Sequence, residues 1–198
     1  MRVMVFDYGA GNLHSLLKAL AARGVEVITE TDPARIVDAH ALVLPGVGAF
    51  GAAAARLAPA RERVREALED GLPCLGICLG MQLLFDESEE GAGAGLGAIP
   101  GRVTRLRARR VPHIGWNSVD DACDPLLARV ALTTAYYANG YVCRPLDRNC
   151  VRAWSTHEHD RFAAVVRRGN TMGVQFHPEK SSTAGIAFMR AFLEEARS

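Results

Sequence analysis

Residues 3–6 form an unbroken apolar run, followed by Asp7-Tyr8-Gly9-Ala10-Gly11 and then by Leu13, Leu16, Leu17 and Leu20 at helical spacing. That pattern predicts strand, loop and helix. Gly24 closes the helix, residues 25–28 predict a second strand, and Asp32-Pro33 carries the cap-and-first-turn chemistry of a short helix. A third apolar run, residues 41–44, ends in Pro45-Gly46-Val47-Gly48; residues 52–69 read as one Ala- and Arg-rich helix, and residues 73–77 as a fourth strand. Strands alternating with helices imply βαβ units with right-handed crossovers, hence a mainly parallel sheet covered on both faces. Ligands of such sheets bind beyond the carboxyl ends of the strands. The glycine-rich loops after Phe6, Leu44 and Ile77 are therefore expected to share one rim.

The second half changes character. Residues 87–97 are acidic, then rich in Gly and Ala, and read as a connecting loop rather than a domain boundary. Strand-like runs follow at 103–107, 135–142 and 151–154, and residues 162–166 and 172–176 predict a hairpin around Arg168-Gly169-Asn170. Residues 112–117 read as an aromatic loop. Ser181, Ser182 or Thr183 is expected to cap a final helix carrying Ile186, Phe188, Met189, Phe192 and Leu193. The expected fold is α/β in three layers, a mostly parallel central sheet flanked by helices, with an antiparallel portion from the C-terminal half. A chain of 198 residues suits one core, so residues 1–198 are read as one domain.

Composition narrows the partners. With 23 Lys+Arg against 22 Asp+Glu the formal charge is +1, so no overall field draws the chain to nucleic acid or a membrane. Arg102, Arg105, Arg107, Arg109 and Arg110 form a basic cluster at strand spacing without stacking aromatics, which reads as an exposed face or edge guard. The first apolar run is too short, and too soon followed by Asp7, for a signal peptide or membrane span; a cytoplasmic protein is expected. Five cysteines at irregular spacing argue against a disulfide framework.

One of those cysteines sits in a reactive context. Gly76-Ile77-Cys78-Leu79-Gly80 follows an apolar strand and precedes a helical segment, the nucleophile-elbow pattern with cysteine in place of serine. Such a turn sets the sulfur beside a helix N-terminus and offers the Leu79 N–H to a developing oxyanion. On its own the pattern also fits a core cysteine near a glycine turn, as expected for Cys74. A thiol nucleophile needs a base, and the base an orienting group. His177-Pro178-Glu179 ends another apolar strand, and His177 and Glu179, two residues apart in an extended segment, point the same way. Pro45-Gly46-Val47-Gly48 should lie close by, with Val47 as a second oxyanion donor. His157-Glu158-His159-Asp160 lacks a third ligand with metal spacing and reads as a solvated turn, so no metal is expected. His14 and His40 read as exposed, and His113 lies in the aromatic loop; none has an acidic neighbour placed like Glu179. Asp7-Tyr8-Gly9-Ala10-Gly11 begins like a dinucleotide fingerprint, but its third glycine position is His14, and no cofactor is expected.

Residues 76–85 and 173–181 together closely resemble the nucleophile and His-Pro-Glu segments of the class I glutamine amidotransferases. Within that class, residues 7–13, 45–50 and 113–117 are similar to the glutaminase subunits that supply a histidine-pathway cyclase, and the likeness spans nearly the whole chain. The resemblance implies a flavodoxin-like fold in which Cys78 attacks the side-chain amide of glutamine, His177 passes a proton to the leaving ammonia and Glu179 orients His177. It implies a glutamyl thioester, released by water as glutamate, and a heterodimer with a (β/α)8-barrel cyclase that uses the ammonia to form imidazole glycerol phosphate. Gly46, Gly48, Gln82 and Tyr141 are expected at the substrate, and Asn12, Trp116, Tyr136 and Lys180 on the cyclase-facing rim. The loop around Val47 is expected to switch when the cyclase is loaded. One stretch departs from the pattern: where many members have an aromatic-Val-His-Ser/Thr-Tyr run, this chain has Tyr137-Ala138-Asn139-Gly140-Tyr141. A glutaminase subunit of a pyridoxal phosphate, purine or anthranilate pathway, and a redox-sensing or other regulatory protein that keeps the cysteine, are the alternatives. Tyr8-Gly9-Ala10-Gly11-Asn12 with Gly115-Trp116-Asn117 speaks against the first, and the intact His177/Glu179 pair against the second.

Overall fold

The computed structural model describes residues 1–9 and 13–197. The chain runs β1 (Arg2–Phe6), α1 (His14–Leu20), β2 (Glu26–Glu30), β3 (Ala41–Leu44), α2 (Phe50–Leu57), α3 (Arg61–Glu69), β4 (Cys74–Ile77), α4 (Leu79–Leu83), β5 (Glu87–Ser88), β6 (Gly101–Arg105), β7 (His113–Ser118), α5 (Pro125–Val130), β8 (Thr134–Asn139), β9 (Tyr141–Pro145), β10 (Val151–His157), β11 (Asp160–Arg168), β12 (Thr171–Val174) and α6 (Ser182–Glu195). A seven-stranded sheet has the order β10-β11-β12-β4-β3-β1-β2. From β12 to β2 neighbouring strands are parallel, while β11 runs antiparallel to β12 and β10 to β11.

The apolar runs are continuous because both faces of this sheet are covered. Val3, Val5, Ala41, Val43, Leu75 and Val174 enter one core with Leu16 and Leu20 of α1, Leu126 of α5 and Phe188 and Phe192 of α6. Met4, Phe6, Leu42, Leu44 and Cys74 enter the other with Phe50 and Leu57 of α2 and Val64 and Leu68 of α3. Burying each Leu, Val or Phe of these layers contributes about 1.5–3 kcal/mol, which holds the strands in a register that serves the rim. Since β1, β3, β4 and β12 are parallel, the loops after Phe6, Leu44, Ile77 and Val174 emerge together.

Several expected elements differ. The helix expected over 52–69 is broken by a 3-10 turn, Ala58–Ala60. Pro59 has no N–H to donate, and its ring clashes with a preceding carbonyl of an unbroken helix. No helix follows Asp32; its carboxylate instead accepts from the Ala34 N–H at 2.9 Å, closing a local turn. The single strand expected over 135–142 is two, since β8 pairs with β7 and β9 with β6, on either side of Gly140. Residues 113–117 are a strand, not a loop, in register with β8 from His113 opposite Asn139 to Ser118 opposite Thr134. Residues 87–97 contain the two-residue strand β5. β6 lies between β5 and β9; Arg102 is exposed opposite Glu87 of β5, and Arg105 is exposed beyond the end of that two-residue strand. Ser181 precedes α6 but makes no side-chain capping bond to it.

Candidate active site

The site starts from a backbone conformation. Cys78 joins β4 to α4 at φ 47°, ψ −103°, a left-handed conformation that costs a non-glycine residue about 1–3 kcal/mol. Neighbours hold it there: the Cys78 N–H donates to the Val174 carbonyl at 2.7 Å, and the Cys78 carbonyl accepts from the Gln82 N–H at 3.1 Å. The flanking glycines are needed for closeness. A Cβ on Gly80 would lie 1.9 Å from the Leu44 carbonyl oxygen, and one on Gly76 2.7 Å from the Gly80 oxygen. Leu79 opens α4, so its N–H lacks an intrahelical acceptor and sits beside the sulfur's residue.

The register of β12 on β4, Val174 opposite Ile77, explains how a motif a hundred residues away reaches this turn. Beyond Val174 the chain carries His177, whose N–H donates to the Tyr136 carbonyl at 2.8 Å. Glu179 lies on the short turn Pro178–Lys180, and its Oε1 is 2.8 Å from His177 Nδ1. His177 is buried, and its other ring nitrogen is left to the Cys78 sulfur. Burial alone would pull the imidazole down from 6.5, but hydrogen bonds to Cys78 and Glu179, and their charges, raise it to about 10. The protonated imidazole is thus the favoured form of His177, held between the Cys78 sulfur and the Glu179 side chain.

The loop between β3 and α2 wedges against this pair. A Cβ on Gly46 would sit 2.9 Å from Cys78 Cβ, from His177 Cε1 and from the Ile77 oxygen. Val47 follows, half-buried, and Gly48 is exposed at φ 104°. In α4, Gln82 is buried, and its Nε2 donates to the Tyr141 carbonyl at 3.3 Å. Asn139 Nδ2 donates to the same carbonyl at 3.1 Å, so the residue at the departing position ties down the turn that presents Tyr141.

Of the expected rim residues, Trp116 on β7 is 55% exposed and stands opposite Tyr136 on β8, ring centroids 6.3 Å apart and edge-on. Lys180 Nζ lies 6.0 Å from the Tyr136 ring. Ile114, 65% exposed, shares the outward face with Trp116. Asn12 lies outside the described residues. Among the other histidines, His113 is buried and stacks on His157 at 4.2 Å; burial and that neighbour push it down to about 4. It is a neutral packing group of the hairpin, and His157 is half-buried against it rather than solvated.

Two residues escaped the sequence reading. Gln175 is fully buried with Nε2 3.6 Å from Cys78 Sγ. Its place in the chain gives a signal, since it stands two residues before His177, in the bend that follows β12. Ser181 donates to the His177 carbonyl at 2.7 Å and accepts from the Tyr136 N–H at 2.9 Å, bolting β8 to the histidine's backbone. Helix-start chemistry masked that role.

The sequence profile of the family described as Glutamine amidotransferase class-I matches residues 4–196. The chain is 42% identical over 207 residues to "Imidazole glycerol phosphate synthase subunit HisH" of Acaryochloris marina, covering 99% of this chain and 95% of that one. It is 44% identical over 194 residues to the protein of the same name from Thermus thermophilus, covering 96% and 95%. Among solved structures, one titled "Crystal structure of glutamine amidotransferase" superposes with a TM-score of 0.75 at 22% identity, covering 99% of each chain. "Structure of PurLQS from Thermotoga maritima" gives 0.74 at 18% identity, covering 98% of each. These two likenesses establish the shared fold, a mostly parallel sheet flanked by helices. The chain belongs to the class-I glutamine amidotransferases, an enzyme family, among relatives named as HisH subunits of imidazole glycerol phosphate synthase.

Proposed function

We propose that this chain, acting as one amidotransferase domain over residues 1–198, hydrolyses glutamine at Cys78 and delivers the ammonia to a (β/α)8-barrel cyclase subunit that forms imidazole glycerol phosphate. The observation that carries the reading is the line from Glu179 through His177 to Cys78, set at the rim where β3, β4 and β12 end. The Cys78 thiolate attacks the side-chain amide carbon, forming a C–S bond and an oxyanion. The N–H groups of Leu79 and Val47 are the donors suited to that oxygen. As the intermediate collapses the C–N bond breaks, and His177 gives its proton to the departing nitrogen, which leaves as ammonia. Gly46 and Gly48 form the wall of the glutamine site on one side, and Gln82 and Tyr141 on the other.

One imidazole serves both halves of the reaction because its partner changes. Cys78 is among the groups that raise His177. Once the sulfur is acylated that anion is gone, burial regains weight, and His177 becomes neutral enough to take a proton from water. The hydroxide attacks the thioester, the C–S bond breaks, and glutamate and the thiolate–imidazolium pair are restored. The relatives' name describes a subunit of a synthase, and the exposed Trp116 and Ile114, with Tyr136 and Lys180 beside them, suit a partner surface above the site. Asn12 is assigned to the same rim from its motif. A cytoplasmic location is assigned with the biosynthetic role; no described helix is long and apolar enough to cross a membrane.

Glutamate release from glutamine tests this. The isolated chain is expected to turn over weakly and to accelerate sharply with the cyclase subunit and its nucleotide ligand. No acceleration with that partner would contradict the assigned pathway.

A further inference from the structure

One more polar side chain reaches the reacting sulfur. Gln175 is completely buried, its Nε2 donates to Cys78 Sγ at 3.6 Å, and its Oε1 has no hydrogen-bond partner among the described residues. Strand pairing fixes the contact. Val174 and Ile77, the last residues of β12 and β4, stand opposite each other, so Gln175 and Cys78 leave the pair side by side; the Cys78 N–H donates to the Val174 carbonyl at 2.7 Å, and the Gln175 N–H anchors on the Ala164 carbonyl at 2.9 Å. A buried amide with an idle acceptor is unfavourable, and an apolar side chain of the same length would fill this space without that penalty.

We propose that Gln175 is a further catalytic residue of the glutaminase reaction, its side-chain amide donating a hydrogen bond to the thiolate of Cys78 before attack and again as the sulfur leaves the thioester. The inference rests on Cys78 being the nucleophile. A buried anion is poorly served by one partner, and an aimed N–H stabilises it without reorganisation. Being neutral, the amide supports the sulfur's charge while leaving the proton affinity of His177 intact. A cation at this position would hold the thiolate equally but would discourage protonation of the imidazole that must supply ammonia with its proton.

The test compares full-length Gln175→Met and Gln175→Glu with the parent chain. Met keeps the length and removes both the donor and the idle acceptor; Glu keeps the shape and sets an oxygen where the donor stood. Alkylation of Cys78 by iodoacetamide is followed across pH by peptide mass spectrometry, so that the exposed Cys123 is not counted. For Gln175→Met the rate at about pH 6 is expected to fall about tenfold and the acid limb of the profile to move to higher pH. Glutaminase kcat should fall with KM little changed, while the melting temperature is equal to or above the parent's. Gln175→Glu should lose more of both rates, and it decides alone if the Met chain does not fold. Parental alkylation profiles in the folded variants would overturn the proposal and leave Gln175 a packing residue. Cys78→Ala separates the two levels: glutamate release persisting in that chain would overturn the nucleophile reading itself, whatever Gln175 does.

Discussion

At the scale of single residues the site is a matter of charge placed next to charge. His177 is raised to about 10 although burial opposes it, so its proton is bound more tightly in the folded chain than in the unfolded one, where the value is 6.5. The stability it contributes is therefore fully present below about pH 6.5 and is lost as pH rises through about 10. Glu179→Gln removes one of the groups that raise it. The variant is expected to melt lower than the parent by a margin that is largest near pH 6 and closes as pH rises above about 10, measured by thermal unfolding across that range. Its glutaminase kcat should drop roughly 100-fold or more, since the imidazole loses the carboxylate that orients it. A melting difference that widened towards alkaline pH would have the wrong sign. Ser181 makes a second prediction. Ser181→Ala leaves the His177 carbonyl and the Tyr136 N–H without their shared partner, and a loss of about 1–3 kcal/mol in denaturant unfolding is expected.

At the scale of elements the site depends on close approach. Gly80 lies so near the β3 carbonyl that a single methyl group cannot be accommodated, because the obstacle is backbone. Gly80→Ala is expected to cost about 3 kcal/mol as α4 is pushed from β3, which for a chain of this size lowers the melting temperature by roughly 6–12 °C. A melting temperature equal to the parent's would show that the elbow does not need that contact. The elbow and the parallel strands are legible in the sequence because each is written locally, as an apolar run followed by residues with restricted or permissive backbones; the His177/Glu179 pair is legible too, but it sits at a 3-10 turn, Pro178–Lys180, and not on the extended segment the sequence suggests. The β7–β8 hairpin is not. Its strands expose Ile114 and Trp116, and they become strands by pairing with each other across an intervening helix. The break at Pro59 is legible by backbone chemistry alone, yet the Ala- and Arg-rich periodicity on both sides hides it. Gln175 stands two residues before His177, but that it meets the sulfur follows from the pairing of β12 with β4, a long-range contact.

At the scale of the whole molecule the parallel sheet gathers the ends of β3, β4 and β12 into one rim and places an aromatic hairpin beside it. That hairpin is bonded straight to the histidine, through the Tyr136 carbonyl and through Ser181. A partner seated on Trp116 and Tyr136 would therefore press on the backbone that holds His177 and Glu179, and no longer path is needed for docking to reach the chemistry. Trp116→Ala removes the largest exposed ring of this face and is expected to weaken cyclase binding about tenfold or more, read by titrating the cyclase into the glutaminase assay. An unchanged titration midpoint would place the partner elsewhere. The most direct test of the central claim is to quench the complex in acid during glutamine turnover and map the mass of every cysteine peptide. A single glutamyl adduct on the Cys78 peptide, absent from Cys78→Ala, is the predicted result; turnover with no adduct there, or with glutamate still released by Cys78→Ala, would contradict it.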